Sequence, residues 1–193
     1  MRVFNRWLLA AAAVLLAGSS WAQVTVSGVK FGETADLHGG KAQLNGAGVR
    51  YKAIFKVYVA GLYLPKKANT TDEVLAMPGA KRLSITMLRD IDSAELGKLF
   101  ARGMEDNMDK QAFSKLVPGV MRMSQLFSDC KKLSAGESFT IDWVPGTGTV
   151  ISVKCANMEP LKEPEFFNAL LRIWLGPNPA DWKLKEALLG HPA

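Results

Sequence analysis

The side chains equipped for chemistry are few and scattered. Cys130 and Cys155 are the two cysteines and His38 and His191 the two histidines. Neither histidine stands near a cysteine, and His191 falls in a tail, so no metal site is expected. Carboxylates gather at Asp90 and Asp92, and again at Glu105, Asp106 and Asp109. The first group stands where a helix start favours acids and the second on a face expected to be solvated, so neither reads as a catalytic pair. Gly-x-Ser-x-Gly, a Walker phosphate loop, a dinucleotide-binding glycine triplet and His-Glu-x-x-His are all missing. Acyl-transfer, nucleotide and zinc chemistry are thereby disfavoured, and no cofactor is expected.

The elements around these groups are legible from periodicity. Val24 to Phe31 alternates as a strand, Gly39-Gly40 and Asn45-Gly46 are turn signals, and a β-branched and aromatic run from Val49 to Leu64 reads as one long strand ended by Pro65. A short helix from Thr71 to Met77 precedes a strand from Arg82 to Leu88 with Leu83, Ile85 and Met87 on one face. Asp92 and Glu95 have capping-box spacing, and Leu96, Leu99, Phe100, Gly103 and Met104 follow at helical intervals. The helical period continues through Phe113, Leu116, Val117, Val120 and Phe127, with a kink or restart expected at Pro118-Gly119. Ser138 to Val144 and Thr149 to Cys155 form a hairpin about Pro145-Gly146-Thr147-Gly148. Two helices close the chain, one between Pro164 and Gly176 and one between Asn178-Pro179 and Gly190.

Met1 to Ala22 has the form of a cleavable secretory signal: Arg2 and Arg6, an apolar run from Trp7 to Gly18, and small residues at Ser20 and Ala22. The run is shorter than the roughly 20 residues that span a bilayer, so cleavage before Gln23 is expected, with no stable membrane span afterwards. Residues 23–193 then form one domain, working in the periplasm or outside the cell. The formal charge of +6 falls to +4 on cleavage and is dispersed in pairs such as Lys66-Lys67, Lys81-Arg82 and Lys131-Lys132, which reads as solvated surface rather than a nucleic-acid stripe. In an oxidising compartment Cys130 and Cys155 are expected to pair, the alternative being two separate buried thiols.

One segment is unusual: Leu44-Asn45-Gly46-Ala47-Gly48-Val49-Arg50-Tyr51-Lys52, followed by Phe55 to Ala60 and Gly61-Leu62-Tyr63-Leu64. It resembles the chalcone isomerase-like family, in which a Gly-Ala-Gly-Val-Arg stretch leads into a strand ending Gly-aliphatic-Tyr-aliphatic. Phe166-Phe167 to Gly176, then Pro179-Ala180-Asp181 and Leu184 to Leu189, resemble the closing helices of that family, and bacterial exported members are the most similar in style. The resemblance implies an α+β fold, a large antiparallel sheet backed by a layer of helices as an open-faced sandwich, with a ligand cleft between the layers.

In the family's enzymes that cleft closes a chalcone to a flavanone, with an arginine beside the phenolate, and Arg50 matches it. The other hydrogen-bonding positions do not carry over: a threonine is matched by Tyr58, a tyrosine and an asparagine fall near Leu96 and Gly103, and a late threonine near Ile173. Arginine with tyrosine instead resembles the fatty-acid-binding branch, so the expected partner is a small amphipathic ligand, a fatty acid or a phenolic, held by Arg50 and Tyr58 without catalysis. The alternatives are an isomerase or intramolecular lyase anchored by Arg50, and an envelope interaction protein with a vestigial cleft. On a straight strand Arg50 and Tyr58 would lie about 26 Å apart, so sharing a ligand requires a bend or bulge near Ala53 to Lys56. Lys52 and Lys56 share the parity of Arg50 and suggest a solvated face. Tyr51, Tyr63, Trp143 and Trp174 read as core or cleft lining.

Overall fold

A computed structural model describes residues 23–37 and 40–192. The signal-like segment, His38 and Gly39 lie outside the described residues. Strands β1 (Gln23–Val26) and β2 (Val29–Gly32) form a separate hairpin. Strands β3 (Thr34–Leu37), β4 (Gly40–Lys52) and β5 (Phe55–Leu64) follow, then helix α1 (Thr71–Ala76) and β6 (Lys81–Met87). A two-residue strand β7 (Ile91–Asp92) leads into α2 (Ser93–Glu105) and α3 (Lys110–Asp129), and pairs with β8 (Lys132–Leu133). The hairpin of β9 (Ser138–Val144) and β10 (Gly148–Ser152), then α4 (Pro164–Leu175) and α5 (Trp182–Leu188), complete the order. The main sheet is antiparallel in the order β10-β9-β6-β5-β4-β3.

The run from Val49 to Leu64 is not one strand. It folds back at Ala53-Ile54, so β4 and β5 are neighbours with Lys52 opposite Phe55. The turn carries no glycine, asparagine or proline, the usual signals for a tight hairpin, and Ala53 adopts a positive φ of 55°. Asn45-Gly46, read as a turn, is instead a bulge within β4, where the register slips between Leu44 and Gly46. The bulge turns the Asn45 amide inward to donate to the carbonyls of Ala68 and Leu188 and to accept from the Ala68 amide. Gly46 and Gly48 then lie directly beneath α5: an added Cβ at Gly46 would come within 1.9 Å of the Ala187 carbonyl oxygen, and at Gly48 within 2.7 Å of Ala187 Cβ.

The helices cover one face of the sheet. Their apolar stripes bury Leu96, Phe100 and Met104 of α2, Val120, Met123 and Phe127 of α3, and most of α4, against Ala60, Leu62, Ile85 and Ile141. Phe100 sits at the centre, with ring centroids 5.5 Å from Phe127 and 5.2 Å from Trp174. The opposite face is partly closed by the β1–β2 hairpin, which lays Phe31 over Gly61 beside Leu44, Val59 and Tyr63. No helix among the described residues is long and apolar enough to cross a membrane.

Helix ends match their local signals. Asp92 caps α2 by accepting from the Glu95 amide, Pro164 opens α4 and Gly176 closes it. Pro118 does not restart a helix: α3 continues through it, and the break falls earlier, where Asp109 caps α3. Gly119 is required there by packing, since the Phe166 ring occupies the place of its missing Cβ at 2.7 Å. Cys130, the C-cap of α3, forms a disulfide with Cys155, beyond the end of β10.

Candidate functional site

The hairpin turn at Ala53-Ile54 brings Arg50 and Tyr58 directly opposite one another. A second register slip, between Arg50 and Tyr51, leaves Val57 as an extra residue in β5. A bulge reverses side-chain parity. Lys56 therefore lies on the outer side, donating to Ser27 Oγ at 3.1 Å, while Val57 and Tyr58 both enter the core beneath the helices. The parity shared by Lys52, Lys56 and Arg50 in sequence thus says nothing about where Tyr58 points. The Arg50 guanidinium carbon is 5.5 Å from the Tyr58 ring centroid, a cation–π arrangement.

Both residues line a cavity of ≈ 250 Å³. Its floor is the β4–β5 hairpin, its walls are Leu96, Leu99, Phe100 and Gly103 of α2 and Ile173 of α4, and its remaining side is the 178–180 connection. The family resemblance places the hydrogen-bonding groups of its enzymes near Leu96, Gly103 and Ile173, which here present hydrocarbon or no side chain at all. The geometry also prevents simple restoration at one of them, because a Cβ on Gly103 would lie 3.0 Å from Ile173 Cγ2. Arg102, Asp106 and Asn178 supply the other polar edge.

The polar atoms of the site are unequally satisfied. Trp174 Nε1 donates to the Tyr58 hydroxyl at 2.7 Å, so that oxygen is an acceptor and its own proton finds no acceptor among the described residues. Burial drives the Tyr58 pKa up to about 12, opposed by the Arg50 charge and the Trp174 hydrogen bond, with Asp181 adding to the rise. Tyr58 is thus a neutral phenol at any ordinary pH, a donor rather than a base. Arg50 Nε is buried without a hydrogen-bond partner, and no carboxylate pairs with Arg50 among the described residues. Two unused donors, one of them permanently charged, border a mostly hydrocarbon cavity; that combination suits an anionic head with an apolar body.

Several residues of the site carried no signal in the sequence. Trp174 reads as core or cleft lining with no polar role, although a buried indole N–H must find an acceptor, a clue to some polar partner. Asp181 caps α5 and also accepts from the Tyr51 amide at 2.8 Å, pinning the start of α5 to the hairpin. Asn107 donates to the Gly103 and Asn178 carbonyls and accepts from the Asn178 amide, joining α2 to the loop that closes the cavity. Of the acid groups, Asp92 and Asp109 are caps and Asp90 pairs with Lys132 at 2.6 Å, while Asp106, expected on a solvated face, reaches the cavity rim and lies 3.7 Å from Arg102. Lys81 and Arg82 are likewise not solvated surface: Lys81 is buried against the carbonyls of Val74 and Leu75, and Arg82 makes a two-pronged pair with buried Asp142. Tyr63 lies on the other sheet face, donating to the Gly32 carbonyl, Trp143 packs on Phe167, and Tyr51 is exposed. Among the described residues no three His, Cys, Asp or Glu side chains gather to hold a metal.

No curated protein matches the chain by sequence. Its structure is similar to the crystal structure of a fatty-acid binding protein from Arabidopsis thaliana, with a TM-score of 0.71 at 16% identity, over 87% of this chain and 96% of that one. A likeness at that identity establishes the shared fold. The model of the chalcone isomerase-like family matches residues 23–190, and the chain belongs to that family.

Proposed function

We propose that this protein binds the head of a small amphipathic acid, such as a fatty acid, between Arg50 and Tyr58 and does not transform it. The observation that carries this reading is the pair itself: two donors without acceptors, facing across one hairpin into one apolar cavity. A carboxylate would accept from the guanidinium and the phenol together, a charge-assisted arrangement stronger than either bond alone. The ligand in the name of the Arabidopsis protein supports the same class. Catalysis is disfavoured because ring closure needs donors oriented on the reacting atoms, and Leu96, Gly103 and Ile173 offer none.

The cavity limits the ligand. At ≈ 250 Å³ it is smaller than the ~300–1,000 Å³ of sites that enclose drug-sized molecules, so it takes a head with a short chain or one ring. A longer tail would run out past half-exposed Leu99. The test is calorimetric titration with straight-chain acids of increasing length against the wild type, Arg50→Gln and Tyr58→Phe. Affinity should rise by about 0.8 kcal/mol per methylene and level off once the cavity is full, and Arg50→Gln should weaken every acid by about tenfold or more. Equal affinity in the wild type and Arg50→Gln would overturn the assignment; turnover of an enone or chalcone that depends on Arg50 would replace it with the isomerase reading.

The same proposal places the protein in the periplasm or outside the cell. The signal-like first 22 residues and the disulfide support it, since such a bond persists in oxidising compartments. Cell fractionation with N-terminal sequencing tests it: a mature chain starting at Gln23 in the exported fraction is expected, and a full-length cytoplasmic chain would refute it.

A further inference from the structure

The tip of the β4–β5 hairpin exposes what most proteins bury. Ile54 is 84% exposed and Phe55 57%, and Trp182, at the first position of α5, is 60% exposed. They share one end of the molecule: Tyr51, Ala53, Asp181, Trp182 and Lys183 border a single shallow groove, closed by the bond from the Tyr51 amide to Asp181. Cations surround them. Lys52 precedes the tip and Lys183 follows Trp182 in the chain, both exposed, and the Arg89 guanidinium lies 5.3 Å from the Phe55 ring centroid. None of the three forms an ion pair among the described residues; Asp181, which borders the groove, is occupied by the amides of Tyr51, Lys183 and Leu184, and Asp90, next to Arg89 in the chain, pairs with Lys132.

We propose that this tip is a docking surface for an anionic lipid bilayer. Ile54 and Phe55 would enter the boundary between headgroups and acyl chains and Trp182 would rest at headgroup level, where amphipathic rings are favoured. Lys52, Lys183 and Arg89 form a positive collar matching the negative surface potential of such a membrane. A protein partner would need a complementary groove for three separate protruding side chains, whereas a bilayer accepts them in any detailed arrangement. The surface joins the cavity through the chain, since Arg50 precedes Tyr51 and the wall residues Pro179 and Ala180 precede Asp181.

Docking is separate from acid binding, because no acyl chain need enter the cavity for the tip to hold a membrane. Co-sedimentation with vesicles of phosphatidylcholine alone and of phosphatidylcholine with phosphatidylglycerol tests it. Partitioning onto the anionic vesicles should be about tenfold or more stronger, and should fall as salt is raised. Ile54→Ser with Phe55→Ser, and separately Lys52→Glu with Lys183→Glu, should each reduce it by about tenfold, with unchanged thermal melts showing that the exposed substitutions leave the fold intact. Brominated acyl chains should quench emission in the wild type more than in Trp182→Phe. Arg50→Gln should keep vesicle binding even where it loses acid binding, which separates failure of one reading from failure of the other. No association, equal association with both vesicle types, or a dimer that the tip variants dissociate would overturn the proposal.

Discussion

Arg50 and Tyr58 are eight positions apart in the chain yet face each other across the β4–β5 ladder, with the guanidinium 5.5 Å from the ring centre. The two are parts of one device, because the hydroxyl of Tyr58 is held in turn by Trp174. Tyr58→Phe should therefore act twice. It removes a donor from the cavity, and it leaves a buried indole N–H without an acceptor, costing about 1–3 kcal/mol of stability. Chemical denaturation of Tyr58→Phe, Trp174→Phe and the double variant should show the double costing less than the sum of the singles.

Alkaline titration should reveal Tyr58 with a defined sign. Its folded-state pKa of about 12 exceeds the ordinary value of 10, so the folded state holds its proton more tightly. The resulting stability is complete below pH 10 and is lost as pH rises through 12, amounting to about 3 kcal/mol over that window. Difference denaturation curves between the wild type and Tyr58→Phe should converge across it.

Lys81 should behave in the opposite way. Its ammonium is buried under the last carbonyls of α1 and beside the Phe167 ring, and burial lowers its pKa from 10.5 to about 8. A depressed folded-state value means stability is gained as pH rises from 8 to 10.5 and lost as pH falls through 8. Comparison of the wild type with Lys81→Met should show the difference in unfolding free energy shifting in the wild type's favour over that range.

The glycines under α5 are steric requirements. Gly46→Ala would drive a methyl into the Ala187 carbonyl oxygen, which is rigid backbone, and should cost about 3 kcal/mol or more with loss of α5 docking. Gly48→Ala meets a side-chain methyl and should be milder, and should be partly rescued by Ala187→Gly. Thermal melts and amide exchange of α5 report both.

Removing the cross-link by Cys130→Ser with Cys155→Ser should lower stability by roughly 3 kcal/mol, the loop-closure value for 25 residues of separation. Acid binding should survive, because neither sulfur borders the cavity.

The elements whose causes are contiguous can be read directly from the residues: the apolar stripe of α2 behind its Asp92 cap, the β9–β10 hairpin with its glycine-rich turn, and α4 between Pro164 and Gly176. Family resemblance also singles out Arg50 and Tyr58 in the sequence, while leaving them about 26 Å apart on an imagined straight strand. Their meeting is a product of the folded sheet. The turn at Ala53-Ile54 has no turn residue to announce it, and it is selected by the pairing of β4 with β5 and by the hold of Asp181 on Tyr51. The Val57 bulge then reverses the parity that made Lys56 and Tyr58 look alike. Likewise Asn45-Gly46 is composed like a turn, but its bonds to Ala68 and Leu188 and the closeness of Ala187 make it a bulge. Periodicity and caps act within a few residues and can be read there, whereas register depends on partners up to 143 positions away in the chain, which no local pattern encodes.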